Sequence, residues 1–118
     1  DFEPRGQCEW LEAELAQPEE HKIIFGHIPP HLEGKDEWLF LSRNDSRYFN
    51  ALMQDVQPTA VFFGHQHQET REEHIGRTRI FVVRSCAWNF GDAPLGFLLV
   101  KMQPDGIDTR EILVSQGK

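Results

Sequence analysis

The sequence has few cysteines and no long apolar run. Its two cysteines, Cys8 and Cys86, form no Cys-x-x-Cys motif, which argues against a structural zinc site of that kind and against a thioredoxin-like centre. We expect two buried free thiols, and a disulfide between them stays open as the alternative. No apolar stretch reaches the roughly 18 residues that a membrane-spanning helix needs. No signal peptide is visible, and the compartment stays undecided, with the cytoplasm slightly favoured.

Basic residues are also scarce. The 12 Lys and Arg residues face 19 Asp and Glu residues, which gives a net charge of −7. Such a chain repels phosphate backbones, so we expect no nucleic-acid surface. The 118 residues are enough for one core and predict a single domain over residues 1–118. Because the chain begins at Asp1 and not at methionine, we expect it to be a processed or excised piece.

Hydrophobic periodicity predicts an α/β (α+β) fold. Apolar stripes at helical spacing indicate two helices, and short runs rich in β-branched and aromatic residues indicate strands. The predicted helices are 7–17 and 45–56, and the predicted strands are 22–26, 60–64, 78–84, 97–103 and 107–114. Asn44 or Asp45 is the expected cap of the second helix.

The order of these elements predicts a βαβ amino half followed by antiparallel strands. Strands 22–26 and 60–64, joined by a helix, should be parallel with a right-handed connection. The unbroken apolar character of strand 22–26 predicts burial on both faces. Residues 27–42 are expected to form a long loop and 68–76 a polar one, while the turn at 104–106 joins the last two strands.

The most informative pattern is a repeated strand ending. Phe25-Gly26-His27 and Phe63-Gly64-His65 each place an imidazole directly after an apolar run, and His67 follows two residues later. Neighbouring strands lie about 4.8 Å apart, so His27 and His65 should meet at one sheet edge. In an extended chain His65 and His67 project to the same side. We expect Gly26 and Gly64 to let the chain turn sharply there.

Three converging imidazoles predict a metal site. Neutral imidazole is a common ligand of transition metals, and bonds of about 2.0–2.1 Å let neighbouring rings share one ion. Glu69, Glu72 and Glu73 lie nearby in a charge-rich segment. We expect them to form a solvated face and not to bind metal.

At these residues the chain resembles the calcineurin-like metallophosphoesterase superfamily. The resemblance is carried by Gly26-His27 and by Gly64-His65-Gln66-His67, with similar flanking order along nearly the whole chain. It implies part of a two-sheet sandwich flanked by helices. It also implies two divalent transition metal ions (Mn, Fe, Zn or Ni), with His27 and His65 on one ion and His67 on the other. The implied reaction is hydrolysis of a phosphomonoester or phosphodiester.

The amino-terminal motifs of that superfamily do not occur in this chain. Asp-x-His, Gly-Asp-x-x-Asp and Gly-Asn-His, which supply the remaining ligands and the proton donor, are missing. The chain therefore resembles the carboxyl-terminal half of such an enzyme, and we assign no catalytic residue to it. Two alternatives stay open. The chain could be a non-catalytic, self-associating interaction module, or a complementary amino-terminal half could complete the site.

A few further residues are candidates for contact with a phosphate ester. His31 in the first long loop and the run Trp88-Asn89-Phe90 in a second long loop, predicted over residues 85–96, could rim a pocket near the histidines. Aromatic side chains there would suit an organic leaving group. The alternatives are a solvent-facing His31 and a packing role for Trp88-Asn89-Phe90. Arg84 could bind phosphate through two hydrogen bonds, although we expect a salt bridge to a nearby carboxylate.

Overall fold

A computed structural model describes residues 4–31 and 40–114, so residues 32–39 of the predicted first loop lie outside the described part. The fold is α+β, as predicted. In chain order its elements are α1 (Pro4–Leu15), β1 (Ile23–Phe25), α2 (Arg43–Val56), β2 (Ala60–Phe63), β3 (Arg71–Ile75), β4 (Thr78–Val82), a 3-10 turn (Phe90–Asp92), β5 (Leu95–Gln103) and β6 (Gly106–Val114).

Four strands form a mixed sheet in the order β1-β2-β4-β3. The predicted parallel pair is confirmed, with Ile24 opposite Val61, and β4 continues the sheet in parallel on the other side of β2. Strand β2 is buried throughout. The expectation that strand 22–26 is covered on both faces is wrong, because β1 lies at the sheet edge and its Phe25 is 79% exposed.

Strand β3 corrects the prediction of a polar loop over residues 68–76. It pairs antiparallel with β4, with Glu73 opposite Ile80, and Gly76 turns the chain between them at φ 57°. Its side chains alternate between half-buried and exposed positions. Most of the half-buried positions carry charged residues, so the alternation is invisible to a search for apolar residues.

Both predicted helices are present with shifted starts. Helix α1 begins at Pro4, a residue whose fixed φ suits the first turn. Helix α2 is capped by Ser42, whose Oγ accepts a hydrogen bond from the Asp45 backbone at 3.1 Å, so the expected cap at Asn44 or Asp45 is wrong. The Tyr48 hydroxyl on α2 donates to Glu12 on α1 at 2.6 Å and ties the helices together.

The core has two layers, one on each face of the four-stranded sheet. On one face, side chains of both helices, including Leu15 and Met53, pack against β2 and β4. On the other face, Phe62 and Phe81 pack against the β5–β6 hairpin. The hairpin is a separate antiparallel sheet. The two sheets therefore face each other, with helices covering the outer side of the larger one.

Two further expectations concern cysteines and membranes. Cys8 and Cys86 are free thiols, as expected, but Cys8 is only half-buried and Cys86 is exposed, so the prediction of two buried thiols is wrong. Over residues 4–31 and 40–114, no helix combines the length and apolar character needed to cross a bilayer.

Candidate functional site

The two Gly-His strand ends lie side by side. Beyond the assigned strands the backbone ladder continues, because the Gly26 amide donates to the Phe62 carbonyl at 2.9 Å and the Gly64 amide donates to the His27 carbonyl at 3.0 Å. These hydrogen bonds fix His27 next to Gly64. The parallel register of β1 and β2 therefore determines that the first histidine of each motif faces the other.

His27 and His65 form a close pair. The His27 Nε2 and His65 Nδ1 atoms are 3.4 Å apart, and the ring centroids are 5.1 Å apart with the planes at 77°. A separation of 3.4 Å is longer than the about 2.7–3.2 Å of an ordinary N–H···O hydrogen bond in proteins. Two lone pairs, or one lone pair and one N–H, thus point toward the same small volume.

The electrostatics of this pair favour a neutral His65. Partial burial lowers the pKa of His65 below its ordinary value, and the neighbouring His27 and His67 rings lower it further because a second positive charge would repel theirs. The imidazole therefore keeps its metal-binding, uncharged form to lower pH than an isolated histidine.

The turn after β2 is made by the histidines themselves. His65 and His67 have φ values of 73° and 51°, whereas neither Gly26 nor Gly64 has a positive φ. The Gln66 amide donates to the Gly64 carbonyl at 2.9 Å, which closes a γ-turn around His65. The expectation that the glycines provide the sharp turn is therefore wrong, as is the expectation of an extended 65–67 segment.

The Gln66 side chain anchors this turn to the start of β3. This side chain is 1% exposed, and its amide oxygen accepts a hydrogen bond from the Arg71 guanidinium at the start of β3. Left-handed backbone at a residue other than glycine costs free energy and persists only where its surroundings enforce it. The buried Gln66 provides that enforcement, because it fixes the chain between the two left-handed histidines.

His67 lies against the second loop. Its Nδ1 is 2.6 Å from the Trp88 carbonyl, and its ring stacks on the indole with centroids 3.9 Å apart at 21°. A carbonyl only accepts, so Nδ1 carries the proton and Nε2 keeps the lone pair in the neutral ring. A hydrogen bond of this kind is what commonly orients metal-binding imidazoles in proteins.

The three predicted ligands thus form two groups. His27 and His65 are together, and His67 is with Trp88. Within the described part of the chain, no three His, Cys, Asp or Glu side chains are grouped so that they could hold a metal ion. The structure brings His27 and His65 together, and His67 lies near enough to His65 to lower its pKa. The role of the three histidines as metal ligands stays a prediction.

The other predicted contact residues have different surroundings. The His31 amide donates to Ser46 Oγ at 2.6 Å and its ring packs edge-on against Phe40, so it lies against the start of α2. Trp88 is beside His67, as predicted. The Asn89 side chain accepts from the Ser85 amide at 2.8 Å and donates to the Ser85 and Pro94 carbonyls, so its amide braces the loop.

The charged residues near the motif are engaged with one another. Arg84 forms the expected salt bridge, with Glu111 of β6. Arg79 donates to both carboxylate oxygens of Glu72, which holds the pKa of Glu72 below its ordinary value. Glu73 pairs with Arg71 at 3.2 Å. Glu72 and Glu73 lie on a strand, and Glu73 is half-buried with a buried Oε2, so the expectation of a solvated face is wrong for Glu73.

Sequence reasoning missed Gln66 and Arg71. A polar residue between two histidines gives no sign of burial in a single sequence, and Arg71 starts a strand that the apolar pattern did not reveal. The Trp88 carbonyl was missed as well, because backbone groups leave no sequence signal. A scan against protein-family models and a search of curated proteins both find no match to this chain.

Proposed function

We propose that this chain supplies imidazole ligands to a dinuclear metal centre that hydrolyses phosphate esters. The observation that carries the proposal is the 3.4 Å separation of His27 Nε2 and His65 Nδ1. Two nitrogens bound to one tetrahedral ion at about 2.0–2.1 Å lie about 3.3–3.4 Å apart. The two rings are thus spaced as ligands of a shared ion, and they fit Zn or a similar divalent ion (Mn, Fe or Ni).

His67 fits the second ion of the proposed centre. Its Nδ1 proton is engaged by the Trp88 carbonyl, so Nε2 is the ligating atom. When bound, the two ions would stabilise charge on the attacking and leaving oxygens of the phosphate. The other ligands are proposed to come from a complementary amino-terminal half, from water and from the substrate, a phosphomonoester or phosphodiester.

Isothermal titration with Zn²⁺ tests the metal-binding step. Replacing His65 by alanine should weaken the affinity by more than the about 10–100-fold that loss of an outer-shell partner typically costs, and His27→Ala should do the same. The double variant should bind little more weakly than either single one, because one lone nitrogen holds the ion poorly. His74→Ala is the matched control, since His74 is exposed and pairs with Glu72.

Equal Zn²⁺ affinity in the unsubstituted chain and in His27→Ala or His65→Ala would remove the pair as ligands. Hydrolysis is tested separately, with a complementary half added and Mn²⁺ or Zn²⁺ present, on a phosphomonoester and a phosphodiester of the same alcohol. Turnover that does not depend on His65 would contradict the proposed role in the reaction.

A self-associating interaction module is the second candidate. It is favoured by exposed apolar side chains, namely Phe25 at 79%, Leu99 at 53% and Leu113 at 55%. Apolar surface of this kind marks interaction sites in many proteins. The solution mass of the metal-free chain distinguishes the candidates: an oligomer that takes up no Zn²⁺ supports the module, and a monomer that binds Zn²⁺ supports the metal centre.

A further inference from the structure

Trp88 and Phe90 form an exposed aromatic surface beside His67, which we call the Trp88–Phe90 platform. The two rings meet edge to face with centroids 5.0 Å apart. Trp88 is 52% exposed and Phe90 is 50% exposed. One indole face is covered by the His67 ring. About half of the Trp88 side chain is nevertheless accessible to a ligand.

The platform is held rigidly by the backbone around it. The Phe90 amide donates to the His67 carbonyl at 2.8 Å, and His67 Nδ1 donates to the Trp88 carbonyl. The Asn89 side chain stabilises the same loop by hydrogen bonds to the backbone of Ser85. Gly91 and Asp92 continue with φ values of 63° and 55°. The rings are therefore presented in a fixed arrangement, which lowers the entropy cost of binding a ligand.

The two rings are packed only in part, against His67 and against each other. Neither Trp88 nor Phe90 belongs to the two buried clusters of the described residues. Leaving adjacent large aromatic side chains half in water forgoes hydrophobic stabilisation, and such surfaces commonly bind ligands or partners. The accessible part of the indole is suited to a planar ring, because stacking of a base on an aromatic side chain is favourable for any base.

We propose that the Trp88–Phe90 platform binds the planar ring of an aromatic leaving group, such as a nucleobase or an aryl ring, on the phosphate ester. This inference rests on the proposed function, because it is His67 that links the platform to the metal centre. The phosphate would lie toward the histidines while the ring lies on Trp88. An aliphatic phosphate ester has nothing to stack and lacks this contact.

Binding to the full chain is measured with four probes: adenosine, adenosine 5′-monophosphate, phenyl phosphate and ribose 5-phosphate. The indole N–H resonance of Trp88 is followed by NMR, and affinities are measured by calorimetry with and without Zn²⁺. The aromatic probes should shift the Trp88 resonance and leave that of Trp10 unchanged, and ribose 5-phosphate should leave both unchanged. Trp10, 60% exposed on α1, is thus an internal control.

Of the two aromatic phosphates, the one with the higher affinity is used to test Trp88→Ala. The substitution should weaken its binding by about tenfold, the scale of one stacked base. It should leave binding of ribose 5-phosphate unchanged. Trp10→Ala is the matched control. Trp88→Phe should retain most of the affinity, because a phenyl ring still stacks. All three variants keep the carbonyl at position 88, which belongs to the backbone, so His67 keeps its hydrogen bond.

The two possible sources of the ring give different orders of affinity. Tighter binding of adenosine 5′-monophosphate than of phenyl phosphate supports a nucleobase, and the reverse order supports an aryl ring. Equal affinity for ribose 5-phosphate and both aromatic phosphates, or no effect of Trp88→Ala, overturns the inference. Adenosine carries no phosphate and so tests the platform alone. If adenosine shifts the Trp88 resonance but the chain binds no Zn²⁺, the platform binds aromatic rings and the proposed metal-dependent function is wrong.

Discussion

The two Gly-His strand ends share a sequence and differ in structure. After β1, Gly26 is pressed against the next strand: a Cβ added there would meet the Phe63 ring at 2.7 Å. After β2, a Cβ on Gly64 would meet only His27 Nδ1 at 3.8 Å, and the left-handed conformations fall on His65 and His67. The same dipeptide thus provides close packing at one end and a strained histidine turn at the other.

The glycine and the histidine of the same dipeptide therefore have different roles at the two strand ends. At the first strand end, glycine is needed for space and the histidine has an ordinary backbone. At the second strand end, there is room for a Cβ on Gly64, and His65 and His67 have the left-handed backbone. Gln66 is buried between them. Variants at each end can therefore separate packing from strain.

The largest expected effect is at the strained end. Gln66→Ala removes the acceptor of the part-buried Arg71 Nη1, and the buried Arg71 Nη2 already has no hydrogen-bond partner among the described residues. Leaving a buried charged group unsatisfied costs upwards of about 1–3 kcal/mol, so we expect a loss of about 3 kcal/mol in the free energy of unfolding. Urea unfolding measures it. The exposed neighbour Gln68, changed to alanine, should leave the free energy within about 0.5 kcal/mol.

The packed end should respond differently to an added methyl group. Gly26→Ala forces the buried Phe63 ring to move, and overpacking of this kind costs about 1–3 kcal/mol. Gly64→Ala meets only an ordinary contact and should be neutral or stabilising by up to about 1 kcal/mol, because it restricts the unfolded chain. Urea unfolding of the two variants side by side checks this, and equal losses in both would contradict the assigned roles.

The smallest expected effect is on the pH dependence of stability. The pKa of His65 is lowered in the folded protein, so between its folded pKa and about pH 6.5 the unfolded chain binds a proton that the folded chain does not. The contribution of His65 is thus complete above about pH 6.5 and is lost as the pH falls through the folded pKa. His65→Asn should flatten the fall in unfolding free energy from pH 7 to pH 5. Parallel curves for the two proteins would show that His65 does not titrate differently on folding.

The sequence predicted helices and strands well wherever apolar residues form a short run or recur at helical spacing. Strands β1, β2 and β4 are short runs of Ile, Val and Phe, and α2 has its apolar residues at helical spacing, so pattern and structure agree to within two residues at each end. The adjacency of His27 and His65 followed from the parallel pairing of two such runs.

Prediction failed where the structure depends on polar or backbone groups. Strand β3 places Arg71 and Glu73 at half-buried positions, so its alternation has no apolar signature. The turn that carries His65 and His67 is set by two left-handed residues and a buried glutamine, none of which a period of two or 3.6 residues reveals. For the same reason, the partner of His67 could not be read from side-chain types.

The carbonyl that holds His67 belongs to the main chain of residue 88, while the half-exposed indole of the same residue stacks on the imidazole. A substitution at residue 88 therefore removes the stacking contact and keeps the hydrogen bond that sets the tautomer of His67. One residue thus supplies two separable constraints on the same ring, one from its backbone and one from its side chain.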